Sequence, residues 1–552
     1  MNTVNRVLIC AAVLASEFLS GEAGALSVAA PSASSLAVNP NDYPKLSPME
    51  LGQIRHLVKL SHQLPGDWSG YSSQWLLTER TQQFQIAFAG MTLALAQHEY
   101  TPAYRELYRG AIEAYIDKLQ HPDIWERWFF SSRSGTRGGI LNDMQSGWID
   151  PIAKDNIMLK AYLLQLGAAD EMLYGDHKYD APDAFTFYYR GQGMGNGLIK
   201  FRYSLEDVAK NIQKEVVDSG YVGSSCEPAR IFWVCQAPSS VGFVNFDQVH
   251  GTHYADVLPK MKDAWIKKGY IDPKNYRYAE VVFTSWEDRS ANQKPVELTP
   301  MDQDIGGWSG IFNHAWDKDF VEAAYYGVDH HDRDETLKYF LSGEYAKAPR
   351  AADNPIHAYD SVAYGLFIAY ASEVGDSDAV NKMLSYAQRN FNPVWENGEY
   401  YYPRNDDFSV DASGNSHGVD PWTGNVFLTM ARLNKGNGFY NLYSQPWGQE
   451  QYRQPFISNV DTLSANVSQA YYDKQKDALI VTLEPGPIKA HKLNFVVRQL
   501  DPNKIYKVIK DGHPIGELSS KHQPASMAWA DGGIVKVSTD ISTRHTFVLK
   551  AI

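Results

Sequence analysis

Apolar residues recur at helical spacing through most of this chain. Leu51, Ile54, Leu57, Val58 and Leu60 share one stripe, which predicts an amphipathic helix. Ser47-Pro48-Met49-Glu50 stands in front of it: a capping serine, a proline at the first helical position and a glutamate that closes a capping box. Comparable stripes predict helices near 80–98, 103–120, 153–175, 204–218, 238–250, 254–268, 306–317, 332–342, 358–374, 378–390 and 421–433. About a dozen helices in successive pairs, each hiding one apolar stripe, predict a closed toroid of helical hairpins. The expected fold is mostly α, an (α/α)6 barrel over residues 46–447.

After residue 447 the period changes. Ala478–Leu483, Lys492–Val497, Ile534–Ser538 and Thr546–Leu549 are short and β-branched, with Pro485-Gly486 and Asp511-Gly512 as turns between them. Such a texture predicts a small antiparallel β-domain over 448–552, of sandwich type. At the other end, Arg6, the apolar run Val7–Ala15 and Ala23-Gly24-Ala25 read as a signal peptide over 1–25, so a secreted or periplasmic protein is expected. Residues 26–45 are small, polar and Pro/Ser-containing, and predict a flexible leader. No other stretch approaches the ~20 apolar residues of a membrane span.

Charge narrows the partners. The 552 residues carry 64 Asp and Glu against 51 Lys and Arg, a net −13, which argues against a nucleic-acid partner. The 34 Tyr and 14 Trp suit an apolar or sugar-binding cavity and serve equally as core.

Several motifs fall away on inspection. Gly191-Gln192-Gly193-Met194-Gly195-Asn196-Gly197 has no Lys-Ser/Thr after it and no strand before it, so it is a loop and not a phosphate cradle. His330-His331 between Asp329 and Asp332 lacks the spacing of a metal site. There is no Gly-x-Ser-x-Gly elbow. Neither a metal nor an organic cofactor is implied. The segment from Cys226-Glu227-Pro228 to Cys235 holds the two cysteines left after the signal. Export favours a disulfide between them. The short loop it would close, in a chain with ample core, favours a reactive pair.

Ile124-Trp125-Glu126-Arg127-Trp128, Asp150-Pro151-Ile152-Ala153-Lys154-Asp155-Asn156-Ile157-Met158, the Cys226 to Cys235 spacing, His250-Gly251-Thr252-His253-Tyr254 and Ile271-Asp272-Pro273 follow one another in order. Together, over about 50–447, they resemble the linalool dehydratase/isomerase family, whose catalytic domain is an (α/α)6 barrel. The β-domain is outside the resemblance, and 181–202 is an added Tyr/Gly-rich insertion. The resemblance implies that Cys226 and Cys235 are unbridged thiols in a substrate cavity. Dehydrating an alcohol requires a proton donor for the leaving hydroxyl and a base for a carbon-bound proton, both in an apolar pocket.

Further roles follow from the resemblance with departures. Tyr162, four residues after Met158, stands where the family has a histidine, and Asp304 where it has a pocket tyrosine. Asp67 and Tyr71 fall near its acid/base pair, with a spacing shorter by two. Met158, Glu227, Phe232 and Trp308 are the expected substrate contacts. Tyr162 reads equally as core, and Asp304 as a helix cap. The insertion, with Phe185, Tyr188 and Tyr189, is expected to cover the barrel mouth.

The expected protein is an exported lyase or isomerase acting on a hydroxylated apolar small molecule. Family members can assemble into rings, so a homo-oligomer is compatible with the resemblance. Two other readings stay open: a carbohydrate-active hydrolase or polysaccharide lyase using Asp302, Asp304, Asp360 and Glu227, or a noncatalytic binding protein.

Overall fold

The computed structural model describes residues 38–71, 82–133, 147–189, 198–301, 306–343, 360–403 and 419–552. Asp302 and Asp304 lie outside these, and of Asp360 only the backbone is described. The helices include α1 (Pro48–Ser61), α2 (Gln82–Tyr100), α3 (Glu106–Leu119), α4 (Ile157–Tyr174), α5 (Leu205–Asp218), α6 (Trp233–His250) and α7 (Val257–Lys267). They continue with α8 (Gly306–Asn313), α9 (Lys318–Tyr326), α10 (His331–Ser342), α11 (Asp360–Glu373), α12 (Ser377–Asn390) and α13 (Leu428–Leu433). A π-helical turn, Trp422–Phe427, leads into α13. The capping box in front of α1 forms: the Ser47 hydroxyl accepts from the Glu50 amide, and the Glu50 carboxylate from the Ser47 amide.

Two kinds of helix alternate. α4 is buried at every position from Ile157 to Tyr174, and α2 at every position except His98 and Glu99. A helix covered on all sides needs no amphipathic stripe. α5, by contrast, buries only Leu205, Val208, Ala209, Ile212 and Val216, a single face. The enclosed helices touch in a cycle: α2 on α4, α4 on α6, α6 on α8, α8 on α11, α11 on α13, and α13 on α2 again. α3, α5, α9 and α12 pack outside them, on α2, α4, α8 and α11 in turn. Aromatic rings fill the middle, with Phe84 and Phe88 of α2 against Tyr162, Trp308 and Trp422.

The C-terminal strands form two antiparallel sheets. One runs Ala465–Asp473, Ala478–Pro485, His545–Ala551, Tyr506–Lys510, His513–Leu518; the other Phe456–Ser458, Lys492–Arg498, Ile534–Asp540, Met527–Ala530. They dock on the helices through the backbone: the Ala103 amide donates to Ala470 and the Ile457 amide to Ala103. The end of the expected leader is held here. The Gln469 amide donates to the carbonyls of Pro40, Tyr43 and Pro44, because a buried amide must find acceptors. Among the described residues no helix is long and apolar enough to cross a membrane.

The insertion is a hairpin of Phe185–Tyr189 with Ile199–Tyr203, so an apolar strand does precede Gly191 in the chain, where none was expected. Phe185 and Phe187 are buried, whereas Tyr188 is exposed. The expected cover is thus anchored, since buried phenylalanines tie its strands to the body. Phe185 stacks on Tyr179, and Phe187, Tyr189 and Phe201 pack around Trp125.

Candidate active site at the first turns of two inner helices

Cys226 sits at a tight turn. Its amide donates to the Arg230 carbonyl at 2.9 Å, and the Arg230 amide to the Glu227 carbonyl at 3.0 Å. Pro228 and Ala229 are the central residues, and Ala229 has a φ of +64°, a position that usually demands glycine. A strand, Arg230–Phe232, pairs with Val281–Phe283 and runs into α6, whose first turn carries Cys235. Both cysteines are thiols, Cys226 half-buried and Cys235 buried. Phe232 is the extended residue before α6, and its carbonyl accepts from the Gln236 amide. Gln236 also bonds the Ser224 backbone in both directions, which locks the turn to the helix.

α4 begins under similar constraint. Asp155 and Asn156, just ahead of it, are both left-handed, at φ of +55° and +59°. Asp155 is held by a two-point ion pair with Arg289, and the Asn156 side-chain amide donates to the Pro151 carbonyl. Lys160 is fully buried and satisfied by Glu215 and Asn211, each at 2.6 Å. The Ile157 amide donates to the Ser225 carbonyl, so the start of α4 and the Cys226 turn are one unit.

Between these elements and α2 lies a pocket lined by Gln83, Phe84, Trp125, Arg127, Trp128, Asn156, Met158, Cys226 and Glu227, among others. As the described residues shape it, it holds about 30 Å3 of free space, room for one or two waters. A larger guest must displace side chains. The Glu227 carboxylate is 4.0 Å from the Cys226 sulfur and 3.9 Å from the Arg230 guanidinium. Arg127 Nη1 and Trp128 Nε1 are buried donors with no acceptor among the described residues.

Tyr162 lies one turn deeper along α4. Burial pushes its hydroxyl well above the usual phenol range, and the neighbouring Cys235 and Cys226 add to the rise. That hydroxyl has no hydrogen-bond partner among the described residues. Trp308 is buried behind Phe84, at 5.3 Å between rings, and its Nε1 likewise has no partner there.

Of the expected residues, Met158, Cys226 and Glu227 line the pocket; Tyr162 neighbours Cys226 and Cys235, but neither it nor Cys235 is among the lining residues, and Trp308 stands one ring behind. Phe232 contributes backbone and is not among the pocket-lining residues. Asp67 and Tyr71 are not brought to this pocket. Asp67 is exposed and caps its own turn, accepting from the Ser69 amide and hydroxyl. Tyr71 is fully buried and donates to the Leu60 carbonyl at 2.9 Å. Gln83, Arg127, Trp128 and Asn156 went unchosen at the sequence level, although three of them stand inside the motif blocks.

A family model described as linalool dehydratase/isomerase matches residues 83–408, more than half of the chain. The chain belongs to the linalool dehydratase/isomerase family. Among solved structures it is similar to an unsaturated glucuronyl hydrolase specific for heparin, at 10% identity and a TM-score of 0.37, covering 70% of this chain and 95% of that one. It is also similar to an alpha-1,6-mannanase from Salegentibacter sp. HEL1_6, at 10% identity and a TM-score of 0.33, covering 70% and 98%. Likeness at that level bears on neither substrate nor reaction.

Proposed function

We propose that this member of the linalool dehydratase/isomerase family dehydrates or isomerises a hydroxylated, largely apolar small molecule of terpenoid or alkenol type. The proposal takes the cycle of enclosed helices as an (α/α)6 barrel and, from the character of residues 1–25, places the enzyme outside the cytoplasm. One observation carries it: the Cys226 thiol lines a pocket walled by aromatic rings, and the buried Tyr162 phenol beside it neighbours both Cys226 and Cys235. In the dehydration, the substrate C–O bond breaks as its oxygen takes a proton, a neighbouring C–H bond gives its proton to a base, and the electron pair becomes the C=C bond. Water leaves. Donor and base exchange roles for the reverse reaction, so the enzyme ends each cycle one proton transfer from its starting state.

Cys226 and Cys235, on opposite ends of one short strand, are assigned as that donor and base. A thiol suits the task because it tolerates apolar surroundings and still exchanges a proton. Glu227 orients Cys226. Tyr162 positions the substrate hydroxyl without titrating, while Arg127 and Trp128 supply donors for a polar atom of the substrate. Of the four carboxylates of the carbohydrate reading, Glu227 lines the pocket, and the side chains of Asp302, Asp304 and Asp360 lie outside the described residues.

Incubating the protein with linalool and shorter alkenols, and following alkene and water formation by gas chromatography, tests the assignment. Cys226→Ala and Cys235→Ala should each lower turnover ~10²–10⁴-fold, the span of general acid–base catalysis. Full activity in both variants on a confirmed substrate overturns it, and release of sugar from a glycan panel replaces it with the carbohydrate reading.

A further inference from the structure

At the far ends of α4 and α6 a second cluster gathers that the proposed reaction does not use. Glu171 lies in the last turn of α4, and His250 is the last residue of α6. The His250 Nε2 is 2.9 Å from a Glu171 carboxylate oxygen and 3.6 Å from Asp180. His177 Nδ1 is 3.1 Å from the other Asp180 oxygen, and the two imidazole rings are 5.0 Å apart. One donor atom from each of these four residues lies within 4.8 Å of the others.

Two features point to a cation at this place. Both helices end here, so the negative ends of two helix dipoles converge with the two carboxylates. The nearby permanent cations are engaged elsewhere, Arg109 by Glu113 and Asp176, and Lys178 by Glu113. The cluster is also built as a receptor. Glu171 is fixed by the Tyr179 amide and His250 by stacking on Phe246. His177 and Asp180 reach in from the exposed segment between α4 and the hairpin.

We propose that Glu171, His177, Asp180 and His250 form a binding site for a divalent transition-metal ion of the zinc type. Two imidazoles with two carboxylates match its ligand preference and not that of calcium or magnesium. Metal–ligand bonds of about 2.0–2.2 Å require the four donors to close in slightly. The exposed pair, His177 and Asp180, can make that movement. The bound ion ties both helix ends to the segment that leads into the hairpin over Trp125.

Isothermal titration of Zn2+ into the full chain, stripped with chelator and dialysed, tests this. One saturable equivalent is expected, with a thermal midpoint that rises on Zn2+ addition. Co2+ in its place should give the visible absorption of a tetrahedral site. His177→Ala and Asp180→Asn change exposed side chains and should each weaken Zn2+ at least tenfold, whereas His331→Ala should leave it unchanged. Absence of a saturable site, or undiminished binding in both cluster variants, overturns the proposal.

Discussion

At their first turns α4 and α6 present Met158 and Cys235 among aromatic rings. At their last turns the same two helices present Glu171 and His250 amid carboxylates and a second imidazole. Thirteen residues of α4 separate Met158 from Glu171, roughly 20 Å of helix. At the first end the charges around the start of α4 are paired off, Asp155 with Arg289 and Lys160 with Glu215, beside an aromatic wall; the second is crowded with charge and partly open to water. The contrast teaches how one scaffold separates two tasks. A proton moving between weak acids is best served by a dry, low-dielectric wall, where small differences in position change pKa strongly. A cation is best served by convergent oxygen and nitrogen donors. The hairpin joins the two, since it follows His177 and Asp180 in sequence and packs on Trp125 of the pocket.

Phe187→Ala strikes that join. Removing a fully buried ring should cost about 3–5 kcal/mol of stability, read from urea denaturation. If hairpin and pocket act together, KM should rise as Trp125 loosens. An unchanged KM separates the two ends.

Next in size is a change far from both. Arg333 bonds Asp376 through two nitrogens, and Asp376 also accepts from Tyr325 and from the Ala379 amide. Burial alone would raise the Asp376 carboxyl. Arg333, the Ala379 amide and Tyr325 outweigh it and hold the group below its usual value. Its contribution is therefore complete above pH ~4 and is lost as pH falls through the depressed value. Arg333→Ala should cost about 3 kcal/mol at neutral pH and leave turnover unchanged. A loss of turnover would mean that the outer helices govern the pocket.

Glu227→Gln keeps shape and removes charge. Turnover should drop by about 10²-fold if the carboxylate serves Cys226; no change in kcat assigns Glu227 to Arg230 alone. The smallest effect has the most diagnostic sign. Tyr162→Phe deletes a buried hydroxyl that has no partner among the described residues, so stability should increase by about 1 kcal/mol while kcat falls. A loss of stability would show that the hydroxyl is bonded, and the phenol then belongs to the core.

Helix periodicity was legible because outer helices such as α5 bury one stripe, and capping residues such as Ser47 act locally. The enclosed helices were legible for another reason: long apolar runs like that of α4 have few competing structures. Less visible were the small strands inside the helical region. Arg230–Phe232 has only three residues, and it pairs with Val281–Phe283 across a long stretch of intervening chain. Of the pocket, Cys226, Glu227 and Met158 were reachable from motif spacing. Arg127, Trp128 and Asn156 lay in the same blocks and could have been chosen with them. Asp67 failed to reach the pocket because a short turn offers its carboxylate nearer donors on Ser69. The charged cluster was invisible, because Glu171 and His250 are 79 positions apart.

The two left-handed residues before α4 bear on how this protein can change over generations. Each non-glycine residue in that conformation costs on the order of 1 kcal/mol, so a drift toward glycine at Asn156 is downhill for the backbone. Glycine there would also delete the amide that grips Pro151 and the side chain that borders the cavity. Were folding the only demand, the position would be an easy gain. Selection for thermostability alone should therefore find Asn156→Gly early, and a screen that also requires turnover should reject it.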